Sequence, residues 1–425
     1  MPHYHIQTFG CQMNRAESAR LAGWLRGWGF GEVASPEAAD VVVVNACVVR
    51  QRAEERAVAR IRALESLKRH RSGTILAVTG CLVPPQDGGL RERFPDVDLF
   101  LPAGDLSGLE GWGARLGLAG HPLPAATGPS AFLPIIQGCH NRCSYCIVPS
   151  RRGPERSRSP DEVVAEAREM VRHGAGEVVL LGQSVNAYGR DLAGGVDLAG
   201  LLRQLNAVEG LRRIRFLTSY PMDITDSFLH TVASLDRVCP AFSLPVQAGD
   251  DAILAAMGRR YTAAQYRGVV AHIRQALPEA GIATDVIVGF PGESREQFER
   301  TVSLVAEVGF DAVHIAGYSP RPGTPAARSL RDDVPSGEKK WRQQRLEAVQ
   351  REVAARASAR QVGQGVEVLV EEVTAEGQGR GRTPSGRLVF FPAAQDTVGQ
   401  EVVVRVEQAS PWWLTGTLKG GNGNR

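Results

Sequence analysis

Residues 132–146 read Phe132-Leu133-Pro134-Ile135-Ile136-Gln137-Gly138-Cys139-His140-Asn141-Arg142-Cys143-Ser144-Tyr145-Cys146. A strand-like apolar run ends at Ile136, and three cysteines follow at C-x3-C-x2-C spacing. Thiolates are soft ligands, suited to iron–sulfur clusters and zinc. A fourth nearby cysteine would favour a closed tetrahedral zinc site, and none occurs here. Three thiolates hold three irons of a 4Fe-4S cube and leave the fourth open. The alternative is a zinc loop that borrows His140. As the neighbour of Cys139, that histidine is awkwardly placed to complete the same site.

Downstream of the loop, apolar strand patterns alternate with helical ones. Strands are expected at Phe132–Ile136, Glu177–Leu181, Ile214–Thr218, Ala241–Val246, Thr284–Val288 and Ala312–Tyr318, with helices such as Pro160–Arg172, Thr262–Leu277 and Arg295–Val308 between them. Six such units in one run predict a partial (β/α)6 barrel, an open sector of the eight-stranded form. A doubly wound sheet is the alternative. The charged stretch Glu338–Arg360, with Lys339, Lys340 and Arg342 among its basic residues, reads as a trailing helix with a solvated face. From Gly365 short strands (Val366–Val370, Leu388–Phe391, Glu401–Val406 and Leu414–Leu418) separated by Gly, Pro and Ser predict a small β-barrel of the oligonucleotide-binding type. The tail Gly420–Arg425 is expected to be disordered.

Upstream, residues 117–131 hold three prolines and three glycines and read as a linker. Before it lie strands His3–Phe9, Val41–Val44, Thr74–Val78 and Val97–Leu101, with helices Glu17–Trp28, Arg50–Lys68 and Leu106–Leu116. This alternation predicts an α/β domain with a parallel sheet. The expected domains are therefore residues 1–120, 131–360 and 361–425. Cys11, Cys47 and Cys81 each follow a strand of the first domain within a few residues, and lie one βα unit apart. In a parallel sheet the carboxyl ends of the strands share one edge, where ligands collect. Geometry alone thus predicts a second three-thiolate site. The alternative, three unrelated core cysteines, requires a coincidence of equivalent positions. Cys239 stands outside both sets and reads as structural, and the nine histidines show no metal spacing.

The C-x3-C-x2-C loop after a first barrel strand resembles the radical S-adenosylmethionine (SAM) superfamily. With three cysteines in a preceding sheet domain, the chain resembles the methylthiotransferase family along nearly its whole length. Gly10-Cys11-Gln12-Met13-Asn14, Asn45-Ala46-Cys47-Val48-Val49-Arg50 and Thr79-Gly80-Cys81 resemble that family's N-terminal motifs. Arg151-Arg152-Gly153-Pro154-Glu155-Arg156-Ser157-Arg158, Leu180–Asn186, Leu244–Gly249, Val288–Glu293 and Tyr318–Pro325 resemble its later ones, and the C-terminal piece its TRAM domain.

The resemblance implies two 4Fe-4S clusters and SAM. The cluster on Cys139, Cys143 and Cys146 would reduce SAM to a 5′-deoxyadenosyl radical that attacks carbon 2 of an adenine. The cluster on Cys11, Cys47 and Cys81 would hold the sulfur that a second SAM methylates. Tyr145 matches the family's aromatic near the SAM adenine. Gln183, Asn186, Ser219 and Gln247 are strand-end candidates for SAM contacts, with loop capping as the alternative. The implied partners are tRNA at its anticodon stem-loop and an electron donor such as flavodoxin or ferredoxin. Gln12-Met13-Asn14 and Ala53-Glu54-Glu55-Arg56 look most like the branch that modifies isopentenyl-adenosine. Other branches modify threonylcarbamoyl-adenosine or a ribosomal-protein aspartate. Ala46, Val48 and Ala248–Asp250 depart from the usual pattern.

Candidate RNA contacts are Arg151, Arg152, Arg156 and Arg158 beyond the loop, and Arg380, Arg382 and Arg387 in a β-barrel loop near Phe390 and Phe391. The formal net charge of the 425 residues is only +3, so a basic surface must be local. Residues 361–425 carry six Lys or Arg against seven Asp or Glu. No run of eighteen apolar residues suggests a membrane span, and seven cysteines without a secretory leader are expected in a cytoplasmic metal protein. A non-catalytic iron–sulfur RNA-binding module is the reading from a different class.

Overall fold

The computed structural model describes residues 1–49, 51–71, 73–85, 89–105, 107–115, 117, 118, 120 and 128–419. Arg50, most of the expected linker and the tail Gly420–Arg425 lie outside them.

The N-terminal sheet has five parallel strands: His3–Phe9, Gly31–Glu32, Val41–Ala46, Ile75–Gly80 and Leu99–Pro102. In chain order they stand 2-1-3-4-5 across the sheet. Val41–Ala46 is central and wholly buried, which explains its unbroken apolar run. The sequence reading missed only the two-residue edge strand Gly31–Glu32, which is too short to show a period. In this order the direction of winding reverses between the first and third strands, and ligands collect at that crevice. Cys11 and Cys47 follow those two strands.

Six parallel strands form the central arc in chain order: Ser130–Pro134, Glu177–Leu181, Arg213–Phe216, Ala241–Ser243, Gly281–Val288 and Ala312–Gly317. The third and fourth strands are joined by the Ile214–Val238 bridge and by the Ser219 amide donating to the Ser243 carbonyl at 2.9 Å. The arc is the expected partial barrel rather than a doubly wound sheet. Ala241–Ser243 stops short of the expected Val246 because Pro245 has no amide hydrogen to give the ladder. Helices Pro160–Arg172, Ala263–Ala276 and Arg295–Val308 begin at Ser159, Thr262 and Ser294, each closing a reciprocal capping box with the residue three positions on. Asp250, part of the departing segment, caps Asp251–Ala256 by accepting from the Ile253 amide at 3.0 Å.

The trailing helix, Ser336–Ala359, runs along the last barrel strand. Its basic face is not simply solvated. Arg342 is buried against Glu293 at 2.7 Å and Glu338 at 3.0 Å, and Lys339 donates to the Tyr318 carbonyl at 3.1 Å.

Five strands close the C-terminal barrel: Gly365–Val373, Gln378–Arg382, Leu388–Pro392, Glu401–Ala409 and Trp413–Leu418. Gln378–Arg382 corrects the expected loop at Arg380 and Arg382. Gly379 and Gly381 point inward, where a Cβ on Gly381 would lie 2.1 Å from the Leu369 carbonyl, and hydrophobic patterning cannot signal a strand whose buried positions are glycines. This barrel sits on the amino-terminal ends of the arc. Arg213, the first residue of its strand, meets Glu401 at 2.6 Å, Glu367 at 2.8 Å and the Arg382 carbonyl at 2.6 Å. Arg215 donates to the Pro384 carbonyl at 2.9 Å, and Arg387 pairs with Asp311.

Candidate active site

Gly10 and Gly80 explain how the N-terminal cysteines come together. Both have positive φ, 144° and 87°. A Cβ on Gly10 would lie 2.4 Å from Asn14 Oδ1 and 2.7 Å from Cys47 Cβ; one on Gly80 would lie 2.3 Å from Asn45 Oδ1. A buried amide network fills the space the glycines leave. Asn14 Nδ2 donates to Asn45 Oδ1 at 2.7 Å, and Asn45 Nδ2 donates to the Asn14 carbonyl at 2.8 Å and to Ser18 Oγ at 3.0 Å. The Cys11 amide donates to Asn14 Oδ1 at 3.4 Å. Cys11, Cys47 and Cys81 are thereby held at one edge of three neighbouring strands. Cys47 and Cys81 are buried, and Cys11 is exposed. Burial pushes the Cys81 thiol up to about 11 against the pull of the Arg152 guanidinium.

The three-cysteine loop leaves the first arc strand at its carboxyl end. Gly138 donates its amide to Gln183 Oε1 at 2.6 Å, and Cys139 donates to the Gly153 carbonyl at 3.2 Å. The Ser144 amide donates to the Met257 carbonyl at 2.9 Å. Burial pushes the Cys146 thiol up to about 12 and raises Cys139 and Tyr145. His140, the residue a zinc loop would borrow, turns instead to Glu155, with Nδ1 2.9 Å from Oε2. Among the described residues no three His, Cys, Asp or Glu side chains gather around a single-ion site. In a 4Fe-4S cube each thiolate binds a different iron, so its ligands need not converge that closely.

Side chains from both domains bring the two sets of cysteines to one seam. Ile147, beside Cys146, is buried in the same apolar cluster as Cys81, Leu82 and Val83. Arg152 crosses to the N-terminal domain, where Nε donates to Cys81 Sγ at 3.1 Å and Nη1 meets Glu17 Oε1 at 2.6 Å. Arg321, from the end of the arc, is bonded to the Val48 carbonyl and Glu54. Met13 and Ala16 pack on Val179 and Leu181 behind the seam.

Residues 133–305 match the Radical SAM superfamily, residues 3–102 the Uncharacterized protein family UPF0004, and residues 359–419 the TRAM domain. The tRNA-2-methylthio-N(6)-dimethylallyladenosine synthase of Dehalococcoides mccartyi (strain ATCC BAA-2266 / KCTC 15142 / 195) is 46% identical over 98% of this chain and 99% of its own length. The Herpetosiphon aurantiacus protein of that name is 42% identical over 98% of this chain and 97% of its own. The chain belongs to the tRNA-2-methylthio-N(6)-dimethylallyladenosine synthase family. It is a radical SAM methylthiotransferase. In fold alone it is similar to the radical SAM methyltransferase TsrM from Kitasatospora setae, with a TM-score of 0.58 at 14% identity over 77% of this chain and 74% of that one.

This family implies SAM and 4Fe-4S clusters, and the strand ends fit the former. Ser184 Oγ, Ser219 Oγ and Gln247 Oε1 are buried without a hydrogen-bond partner. Such atoms cost about 1–3 kcal/mol each unless a ligand satisfies them. Thr218 and Gln247 also hold positive φ, 65° and 74°, a strain that clusters at ligand sites. Of the four candidates for SAM contacts, Asn186, Ser219 and Gln247 carry an orphaned buried oxygen. Gln183 is spent on Gly138, while Asn186 also lines a cleft of about 430 Å³ with Asp223 and Phe228.

The candidate RNA contacts of this methylthiotransferase need correction. Arg152 is 3% exposed and paired with Glu17, so it cannot meet a phosphate. Arg387 ties the β-barrel to the arc, while Arg380 and Arg382 face outward beside Glu372 and Glu371. Arg151 is half-buried, with an unpartnered Nε. Phe391 belongs to the β-barrel core. The exposed tryptophans of the β-barrel are Trp412 and Trp413, 46% and 43% exposed, which sequence reading missed. Their signal was a Pro-Trp-Trp step at a strand start, where large apolar side chains have no core to enter. Cys239 is buried at the other end of the arc, its amide donating to the Ile214 carbonyl at 2.8 Å.

Proposed function

We propose that this chain places a 2-methylthio group on N6-isopentenyl-adenosine beside the anticodon of tRNA. The observation that supports this reading most strongly is the seam itself, where two sets of three cysteines stand at the carboxyl ends of adjoining parallel sheets. In this reading Cys139, Cys143 and Cys146 hold one 4Fe-4S cluster, and Cys11, Cys47 and Cys81 hold another. When bound, the clusters and SAM supply the radical and sulfur chemistry that an unreactive purine C–H requires. The protein's part is positional. Gly138, fixed by Gln183, aims the loop. Ser184, Ser219 and Gln247 offer polar atoms to SAM, and Tyr145 offers its ring to the adenine. Arg152 and Arg321 clamp the N-terminal domain over the arc and keep water from the seam.

Trp412 and Trp413 are proposed as base-stacking residues, with Arg380, Arg382 and Arg151 as backbone contacts. The division into residues 1–120, 131–360 and 361–425, a flavodoxin- or ferredoxin-type electron donor and a cytoplasmic location belong to the same reading. Among the described residues no helix is long and apolar enough to cross a membrane.

Nucleoside mass spectrometry of tRNA from a strain lacking this gene tests the substrate. The expected result is loss of the methylthio-isopentenyl nucleoside with the isopentenyl nucleoside accumulating. Loss of the methylthio-threonylcarbamoyl nucleoside instead overturns the choice.

A further inference from the structure

Each set of cysteines has one buried guanidinium that donates to one of its sulfurs, and the two guanidinia keep different company. At the N-terminal set, Arg152 Nε lies 3.1 Å from Cys81 Sγ, and its terminal nitrogens face the Glu17 carboxylate at 2.6 and 3.4 Å. Arg152 and Glu17 together carry no net charge. At the loop, Arg259 Nη1 lies 3.5 Å from Cys143 Sγ. Its Nε donates to the Tyr261 hydroxyl at 2.9 Å and its Nη2 to the Pro245 carbonyl at 2.7 Å. Its carbon lies 4.8 Å from the Tyr220 ring centroid and 5.0 Å from that of Tyr261. Among the described residues no carboxylate pairs with it. Glu155, which contacts this loop, is engaged by the His140 amide and ring. Arg259 is 9% exposed, so water does little to damp its charge.

Adding one electron to a 4Fe-4S cluster makes it one unit more negative and breaks no bond. A cation touching a cluster sulfur in a low-dielectric seam favours that reduced form. A cation cancelled by its own carboxylate does so far less. We propose that Arg259 sets the reduction potential of the cluster at Cys139, Cys143 and Cys146, whereas the Arg152–Glu17 pair grips Cys81 and shifts its cluster far less. An electron entering at either cluster therefore collects at the loop, where SAM is reduced. Arg259 acts through Cys143 and is a positioning residue, not a catalytic one. This inference rests on the proposed ligand sets.

The test is an anaerobic dithionite titration at controlled potential, read by low-temperature EPR in full-length chains carrying one cluster each. In C11A/C47A/C81A, Arg259→Met is expected to lower the reduced-to-oxidised ratio at fixed potential by at least about tenfold, which is about 59 mV for one electron. Arg259→Lys is expected to stay within about threefold. In C139A/C143A/C146A, Glu17→Gln unmasks Arg152 and is expected to raise the ratio by about tenfold, while R152M/E17Q, neutral for neutral, stays within about threefold. An Arg259→Met chain that titrates like its parent overturns the proposal. So does an R152M/E17Q chain that moves as far as Arg259→Met. If Arg259→Met loses its iron, the Glu17→Gln chain decides, and an unchanged ratio there is fatal. A parent chain with no reducible cluster signal identifies a different failure, that of the ligand sets, and the proposal falls with them.

Discussion

Gly80 shows how much one missing methyl decides. Its φ of 87° and its approach to Asn45 leave no room for a side chain. Gly80→Ala is expected to cost at least about 1 kcal/mol, read as a lower Tm, and to lower iron per chain after reconstitution. Cys47→Ala is expected to remove about half of roughly eight irons, by iron assay against protein concentration. If Cys47→Ala kept all its iron, the N-terminal ligand set would be wrong. The placement of the cysteines was legible in the sequence because Cys11, Cys47 and Cys81 each follow a strand and strand ends of one parallel sheet are neighbours by construction, while Cys139, Cys143 and Cys146 share one loop. Arg259 and Glu17 were not. Both are ordinary surface types in composition; Arg259 is buried beside Cys143 and Glu17 is buried against Arg152, and one-dimensional spacing can express neither. Arg152 misleads in one dimension, since a basic run after a loop reads as a phosphate contact until its partner Glu17 is seen.

At the scale of elements, the six-stranded arc was readable because each strand and helix has its own period and most helices carry their own caps. The β-barrel strand Gln378–Arg382 was not, since glycines occupy its inward positions. What joins the elements was also hidden. The short helix Val148–Arg152 connects the arc to the N-terminal domain through the buried Arg152–Glu17 pair. Removing one partner of such a pair leaves an uncompensated charge and typically costs about 3–5 kcal/mol. Arg152→Met is therefore expected to destabilise by that order in urea unfolding, and R152M/E17Q by clearly less. A single variant no weaker than the double would show that the pair does not clamp the seam.

At the scale of the molecule, three domains meet around one arc but at opposite ends of it. The TRAM β-barrel is anchored by Arg213, Arg215 and Arg387 where the strands begin. The cysteines lie where they finish. Replacing Trp412 and Trp413 with alanine is expected to weaken tRNA binding by about 1–3 kcal/mol per stacked base, measured by filter binding at stated salt. Single-turnover chemistry on a saturating stem-loop is expected to change little. Equal loss in both assays would mean that the tryptophans hold the fold instead.

An arc strand of about six residues is about 20 Å long. An RNA held at the β-barrel must therefore reach at least that far before its adenosine enters the seam. With RNA held at the proposed β-barrel contacts, the two ends of the arc would span the substrate as the jaws of a caliper do. A nucleoside or trinucleotide can occupy one jaw only, and a hairpin whose stem is shortened by half a turn should lose affinity abruptly instead of by degrees.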